Sequence, residues 1–339
     1  MNNLTFGKPY VIAEAGANHN GSFETAMELI DMAAKSKADS IKFQIIHPEG
    51  LYLPEFYENG SYRPNPVIEQ RRKLMLRDDD YLKLAERAAS RGIEFSASVF
   101  DEKGLDLLLE CKPAYIKIAS CDLNNLTFLR KAAEKAGRHG ASIVLSTGFS
   151  TYGEIDRSVK TIRETGFAAL ALLHCVSVYP ARLANMNLGF IDELREFGLP
   201  VGLSDHTGGT TAAAIALAKG AVVFEKHVTL DRKQEGFDHA HSVEGPELEQ
   251  YIADINEAFE ALKPRVDKLT EDEKNVKKRA RRALYAARDI KAGEKISEFD
   301  IAIVRPEAAM GADEADSIIG RVCRANLKRF EPFTPELFG

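Results

Sequence analysis

Short apolar runs recur along most of the chain, each a few residues long and nearly continuous. They are Tyr10–Ala13, Ser40–Ile46, Ile93–Ser98, Tyr115–Ala119, Ile143–Leu145, Ala168–Leu173, Val201–Leu203 and Val222–Phe224. Strands buried on both faces read this way, because neither face calls for a polar position. The stretches between the runs carry helix signals. Thr151-Tyr-Gly-Glu154 is a capping box, in which the Thr hydroxyl and the Glu carboxylate satisfy backbone amides reciprocally. Ile155, Val159 and Ile162 follow at helical spacing. Ser22 marks another helix start, with Met27, Ile30 and Ala34 expected along its buried face. Eight βα units within about 265 residues predict an α/β fold, a (β/α)₈ TIM barrel. An open doubly wound sheet is the rival, but no GxGxxG follows the first run.

Two segments break the rhythm. From His47 to Asp80 a long connection carries Pro48, Gly50, Pro54, Gly60, Pro64 and Pro66, with Tyr52, Phe56, Tyr57 and Tyr62 among them. A connection this long reads as a lid or an oligomer contact. Between Lys263 and Arg282 the basic residues Lys274, Lys277, Lys278, Arg279, Arg281 and Arg282 cluster, which predicts a solvated linker helix. The last segment opens with Leu284-Tyr-Ala-Ala-Arg-Asp-Ile-Lys-Ala-Gly-Glu294, a strand and then a Gly turn. The expected organisation is a barrel over 1–265, a basic linker over 266–282 and a small tail domain over 283–339. A domain of that size needs support from elsewhere.

Composition narrows the class of protein. The chain has 339 residues, 45% hydrophobic and 28% charged, the balance of a soluble globular protein. Disordered, collagen-like and coiled-coil chains are excluded. A net charge of −6 argues against nucleic acid or an anionic membrane as partner. No apolar run approaches the ~20 residues of a membrane span. Met1–Lys8 leads straight into the first strand without a signal-peptide pattern. Cys111, Cys121, Cys175 and Cys323 lack CxxC spacing and read as reduced, structural thiols, which predicts a cytoplasmic location.

In a barrel of this kind the chemistry sits at the C-terminal strand ends. Here those ends bear Glu14; Lys42 and Gln44; Ser98; Lys117 and Ser120, with Asp122 beyond; Ser146; His174, Ser177 and Tyr179; Ser204 and His206; and Glu225, Lys226 and His227, followed by Asp238. Packing alone does not explain eight polar strand ends, because buried polar groups are costly unless paired. Two lysines and several hydroxyls around one mouth suit a phosphorylated anion. Gly208-Gly209 before Thr210 reads as a tight turn. His206 and His227 either bind a divalent ion together or are hydrogen-bonded neighbours. His19, His174, His239 and His241 are further candidates, whereas His47 and His139 are expected at the surface.

These residues fall in motifs that resemble a known family. Ile12-Ala-Glu-Ala-Gly-Ala-Asn-His-Asn-Gly21, Lys42-Phe-Gln44, Lys117-Ile-Ala-Ser120, Leu145-Ser-Thr-Gly148, His174-Cys175, Tyr179-Pro180, Gly202-Leu-Ser-Asp-His-Thr207 and Glu225-Lys-His227 are similar to the sialic acid synthases. That family of nonulosonic acid synthases includes pseudaminic and legionaminic acid enzymes and spore-coat polysaccharide paralogues. The tail, with Ile303-Val-Arg-Pro306 and Ile319-Gly-Arg-Val322, resembles the family's antifreeze-protein-like (SAF) domain. The resemblance implies condensation of phosphoenolpyruvate with an N-acylated amino-sugar aldehyde, giving a nine-carbon 2-keto-3-deoxy acid and phosphate. It implies Mn²⁺ or Mg²⁺, held by His206 and His227. Lys42, Lys117, Ser98, Ser120, Ser146 and Ser204 would hold phosphoenolpyruvate. Glu14, Gln44 and Asp238 would surround the reacting carbons, and Asp122, Ser177 and Tyr179 would face the sugar. Arg305 would reach the sugar in the partner subunit, which implies a domain-swapped homodimer.

The sugar half of the pattern is altered. Asp122 stands where the sialic acid enzymes have Glu, Ser177 where they have Asn, and Ser96-Ala-Ser-Val-Phe100 where they read Ser-Thr-Pro-Phe. An acceptor other than N-acetylmannosamine, such as a diacetamido-trideoxy hexose, follows from these departures. The alternatives are another phosphoenolpyruvate-aldose synthase, a Schiff-base aldolase acting through Lys117 or Lys42, and a non-catalytic carbohydrate-binding paralogue.

Overall fold

The computed structural model describes residues 7–338, so most of the Met1–Lys8 stretch lies outside the described residues. The chain divides into two compact units that meet at Lys263 and Pro264.

In the first unit the eight predicted runs all become strands. They are β1 (Tyr10–Gly16), β2 (Ser40–Ile45), β3 (Glu94–Val99), β4 (Tyr115–Ile118), β5 (Ser142–Ser146), β6 (Leu170–Cys175), β7 (Val201–Asp205) and β8 (Val223–His227). They close into a parallel barrel in the order β1-β8-β7-β6-β5-β4-β3-β2, which excludes the open sheet. Alternation along each strand sorts the side chains. Ile41, Phe43 and Ile45 on β2, and Val11 and Ala13 on β1, face the helices and join the main core. Ile12, Tyr115, Val144, Leu173 and Val223 form a small apolar plug inside the barrel. Gly202 also belongs to this tier. A Cβ there would lie 2.2 Å from the Val223 carbonyl and 2.6 Å from Leu173 Cδ2, so the plug leaves no room for a side chain. Two residues beyond the plug, on the same strand faces, come Glu14, Lys42, Lys117, Ser146 and Glu225. The barrel therefore carries a polar tier on an apolar floor.

The helices start where the capping signals lie. The Ser22 side chain accepts from Thr25 N–H, and Thr151 and Glu154 cap one another's amides. The helix after Ser22, Phe23–Lys35, buries Ala26, Leu29, Ile30 and Ala33. Of the expected face Ile30 is in the core, whereas Met27 and Ala34 only flank it and Ala26 and Ala33 take their places. Within the long connection, an exposed hairpin pairs Glu55–Glu58 with Ser61–Pro64, and a helix follows over Pro66–Arg72.

The second unit opens with the basic helix Glu271–Ala280, which buries none of its residues. Beyond it Ala283–Ala286 pairs antiparallel with Ile301–Val304. Leu284, Ile290, Ile296, Met310, Ile318 and Phe333 form its own core.

Candidate active site

The polar tier opens into a cavity of about 350 Å³ at the C-terminal ends of the strands. Four buried ionisable groups crowd its floor. Lys42 Nζ bonds Glu14, lies 3.5 Å from Glu225 Oε2 and donates to Ser98 Oγ at 3.0 Å. Lys117 Nζ approaches the same Glu225 oxygen at 3.7 Å. Ser204 donates to Glu225 Oε1 at 2.8 Å, and Gln44 Nε2 donates to Glu14 Oε1 at 2.9 Å.

The surroundings separate the two carboxylates. Burial raises Glu14 to about 7, with Lys42 only partly opposing it and Glu225 adding to it. Burial works against Glu225 too, but Lys117 and Lys42 outweigh it and hold that carboxyl down at about 2. Lys42 is pushed up, because its two carboxylates prevail over burial. Lys117 is pushed down by burial, with repulsion from Lys42 adding to it against the pull of Glu225.

An anion cradle lies on the β4–β5–β6 side. Gly148 N–H donates to Ser120 Oγ at 2.9 Å. A Cβ on Gly148 would fall 2.2 Å from Ser177 Oγ and 2.8 Å from Ser120 Oγ, so both hydroxyls converge on bare backbone. Ser146 Oγ is buried without a partner. Donors left free around a lysine suit the oxygens of a phosphate or carboxylate.

The histidines stand on the other strands. His206 Nδ1 donates to the Val176 carbonyl at 2.8 Å, which leaves Nε2, 3.3 Å from Ser204 Oγ, as the lone-pair nitrogen. Burial lowers His227 to about 4, so its ring is neutral, and its Nδ1 is buried without a partner. The two ring centres lie 5.5 Å apart, with the Tyr179 ring 4.1 Å from that of His206. A backbone-locked tautomer and an orphaned imidazole nitrogen fit a divalent cation. Among the described residues no group of three or more His, Cys, Asp or Glu could hold one, so water and substrate would complete the shell.

Thirteen of the expected residues line this cavity: Glu14, Lys42, Gln44, Ser98, Lys117, Ser120, Ser146, Ser177, Tyr179, Ser204, His206, His227 and Asp238. Burial raises Asp238, but its approach to His241, at 3.5 Å, with His227 and Arg71 nearby, holds it at about 2. Two expected residues are not among them. Asp122 accepts from Asn125 at 3.3 Å and is not one of the lining residues, and Arg305 belongs to the second unit.

The remaining histidines sort by their partners. His19 accepts from Gly21 N–H at 3.1 Å, His174 bonds the Met186 carbonyl at 2.6 Å, and His239 bonds Thr229 Oγ1 at 2.7 Å; all three brace loops. His47, expected at the surface, instead pairs with Asp101 at 3.0 Å and is half-buried. The cysteines need a similar correction. All four are free, as expected, but Cys121 and Cys175 are cavity residues.

Two charged lining residues had no role assigned from the sequence: Glu225, which stood among the polar strand ends, and Arg71, which was not singled out. Glu225 is a strand-mate of His227 two positions on, so alternation alone puts both on one face. Arg71 comes from the helix in the long connection, and no periodicity points to it.

A phosphate-sized cradle, a pair of lysines and two imidazoles at the mouth of a (β/α)₈ barrel define the class of site. The chain belongs to the NeuB family, which it matches over residues 29–267, and it carries a SAF domain over 281–338. It is 33% identical over 328 residues to the N,N'-diacetyllegionaminic acid synthase of Legionella pneumophila, covering 94% of this chain and 91% of that one. It is 33% identical to the pseudaminic acid synthase of Campylobacter jejuni, covering 95% and 94%. The crystal structure of N-acetylneuraminic acid synthetase from Leptospira borgpetersenii superposes with a TM-score of 0.70 at 32% identity, over 81% of this chain and 94% of that one.

Proposed function

We propose that this chain condenses phosphoenolpyruvate with an N-acylated amino-sugar aldehyde to a nine-carbon 2-keto-3-deoxy acid and phosphate. The observation that carries this reading is the cradle of Ser120, Ser177 and bare Gly148 beside Lys117 and Lys42. It suits a small, doubly anionic substrate. In the reaction C3 of phosphoenolpyruvate bonds the aldehyde carbon. Water adds at C2, the aldehyde oxygen takes up a proton to become a hydroxyl, and the bond between C2 and its bridging oxygen breaks, so that phosphate leaves with that oxygen and C2 becomes the ketone.

Lys42 and Lys117 neutralise the phosphate and carboxylate, and Ser98, Ser146 and Ser204 orient them. Glu14, held by Gln44 with a pKa of about 7, faces the carbon that becomes cationic. Ionised, it stabilises that charge and takes the proton from the incoming water. Asp238 lies near Glu14 and contacts the sugar beside its aldehyde, and Tyr179 contacts its body; Ser177, expected to face the sugar, belongs in this reading to the phosphoenolpyruvate cradle. His206 and His227 would hold Mn²⁺ or Mg²⁺, which supplies Lewis-acid polarisation of the aldehyde oxygen. In this reading the protein works as a homodimer in which Arg305 reaches the sugar in the partner's barrel. Four unpaired thiols favour a cytoplasmic location.

The test is phosphate release from phosphoenolpyruvate with Mn²⁺ across a panel. It comprises N-acetylmannosamine, its 6-phosphate and the diacetamido-trideoxy hexoses of the pseudaminic and legionaminic pathways. Release is expected with one of them and is lost on chelation and in His206→Ala. Release that survives both treatments would overturn the metal role. Sugar binding without release from any of them would favour a carbohydrate-binding paralogue.

A further inference from the structure

We infer that Arg71 is an anion receptor for the acceptor, and that the acceptor is a phosphorylated amino sugar; the inference rests on the synthase reading above. Arg71 lies in the last turn of the helix Pro66–Arg72 and lines the cavity. Among the described residues its Nε and Nη1 are buried yet have no hydrogen-bond partner. Two buried donors without partners on a half-buried guanidinium are costly, and its fork is shaped for two oxygens of one oxyanion. The ring of Phe237 lies 3.7 Å from the guanidinium carbon, which fixes the plane of the fork without using its donors. Asp238 is close enough for the Arg71 charge to help hold its carboxyl down, but among the described residues its ion pair is with His241.

Position in the barrel separates this group from the phosphoenolpyruvate cradle. Arg71 and Phe237 lie in the connections that follow β2 and β8, which flank β1. Ser120, Gly148 and Ser177 follow β4, β5 and β6, across the mouth. The cavity thus offers two anion receptors on opposite sides, with Glu14 and the histidines between them. One substrate with both its anionic groups on Lys42 and Lys117 leaves the second receptor unfilled. A phosphate monoester on the acceptor, remote from its aldehyde, fills it; a sugar carboxylate is the other source of such an anion.

The experiment compares N-acetylmannosamine, its 6-phosphate and its 6-carboxylate in the wild-type protein, Arg71→Met and Arg71→Lys. Equilibrium binding is measured first, then phosphate release with phosphoenolpyruvate and Mn²⁺. The wild type should prefer the 6-phosphate over the neutral sugar. Arg71→Met should cut that preference by about thirtyfold, through KM for the sugar, and Arg71→Lys should restore part of it. A preference for the carboxylate keeps the receptor but overturns the phosphate. Equal use of neutral and phosphorylated sugars, or equal losses for both in Arg71→Met, overturns the receptor and leaves the synthase standing. Arg71-dependent binding of the phosphorylated sugar without turnover supports the receptor and sinks the synthase.

Discussion

Glu14 and Glu225 are the same chemical group a few ångströms apart, and their neighbours give them opposite protonation. The sign of the consequence for Glu14 is fixed. Its pKa is raised from 4.5 to about 7 on folding, so between those values the folded state keeps a proton that the unfolded chain has lost. Stability from this group is therefore present at low pH and declines as the pH rises to about 7, by about 3 kcal/mol. Glu14→Gln mimics the protonated form. The melting temperature of the variant relative to wild type should rise between pH 5 and pH 8. A constant difference would mean that Glu14 is ionised throughout. The same variant should lose the rising limb of the kcat profile near pH 7. Gly148 makes a second prediction at this scale, because a methyl group would displace the Ser120 and Ser177 hydroxyls. Gly148→Ala should raise KM for phosphoenolpyruvate by about tenfold or more with little change in melting temperature. An unchanged KM would remove the cradle from the phosphate site. Most of these residues were legible because strand ends are short and ordered. Asp122 and Arg71 were not, since a 3₁₀ turn aims the first at Asn125 and a tertiary stack aims the second into the cavity.

At the scale of elements, burial on both faces is what made the strands readable. Each strand sits between an apolar floor and a helical layer, so its sequence had no polar face to confuse the pattern. Polar residues entered only where the strand outruns the floor, which is why they marked the strand ends. The exposed hairpin had no such signal. Its strands, Glu55–Glu58 and Ser61–Pro64, bury none of their residues, and Pro and Gly suggested only a loop. Helix faces were readable to within one residue, as Phe23–Lys35 shows, because the 3.6-residue period leaves neighbouring stripes nearly equivalent. The floor makes its own prediction. Gly202→Ala pushes a methyl group into Val223 and Leu173, and should destabilise the barrel by about 1–3 kcal/mol. Denaturant titration would read this as a lower midpoint with an unchanged slope. A midpoint equal to that of wild type would show that the plug can shift to admit a side chain.

For the whole molecule, the division at Lys263 and Pro264 sets the question of how the second unit contributes. It has its own core around Leu284, Ile290 and Phe333, so it holds its shape as a body. Its surface nonetheless leaves Phe299 largely exposed, and Ile303, Val304, Ile319 and Val322 partly so. If this unit closes the barrel of the partner subunit, Arg305 and His206 of one active site belong to different chains. That arrangement predicts complementation. Arg305→Ala and His206→Ala proteins should each be weak or inactive alone. After mixing under conditions that exchange subunits, half of the dimers at random are mixed. Each mixed dimer then joins an intact barrel to an intact tail at one of its two mouths, so about a quarter of the wild-type rate returns. The opposite arrangement, a tail that closes its own barrel, gives every mixed dimer two damaged sites. Mixing would then recover nothing, although light scattering would still report dimers. The rate after mixing, compared with the sum of the separate rates, decides which chain supplies Arg305.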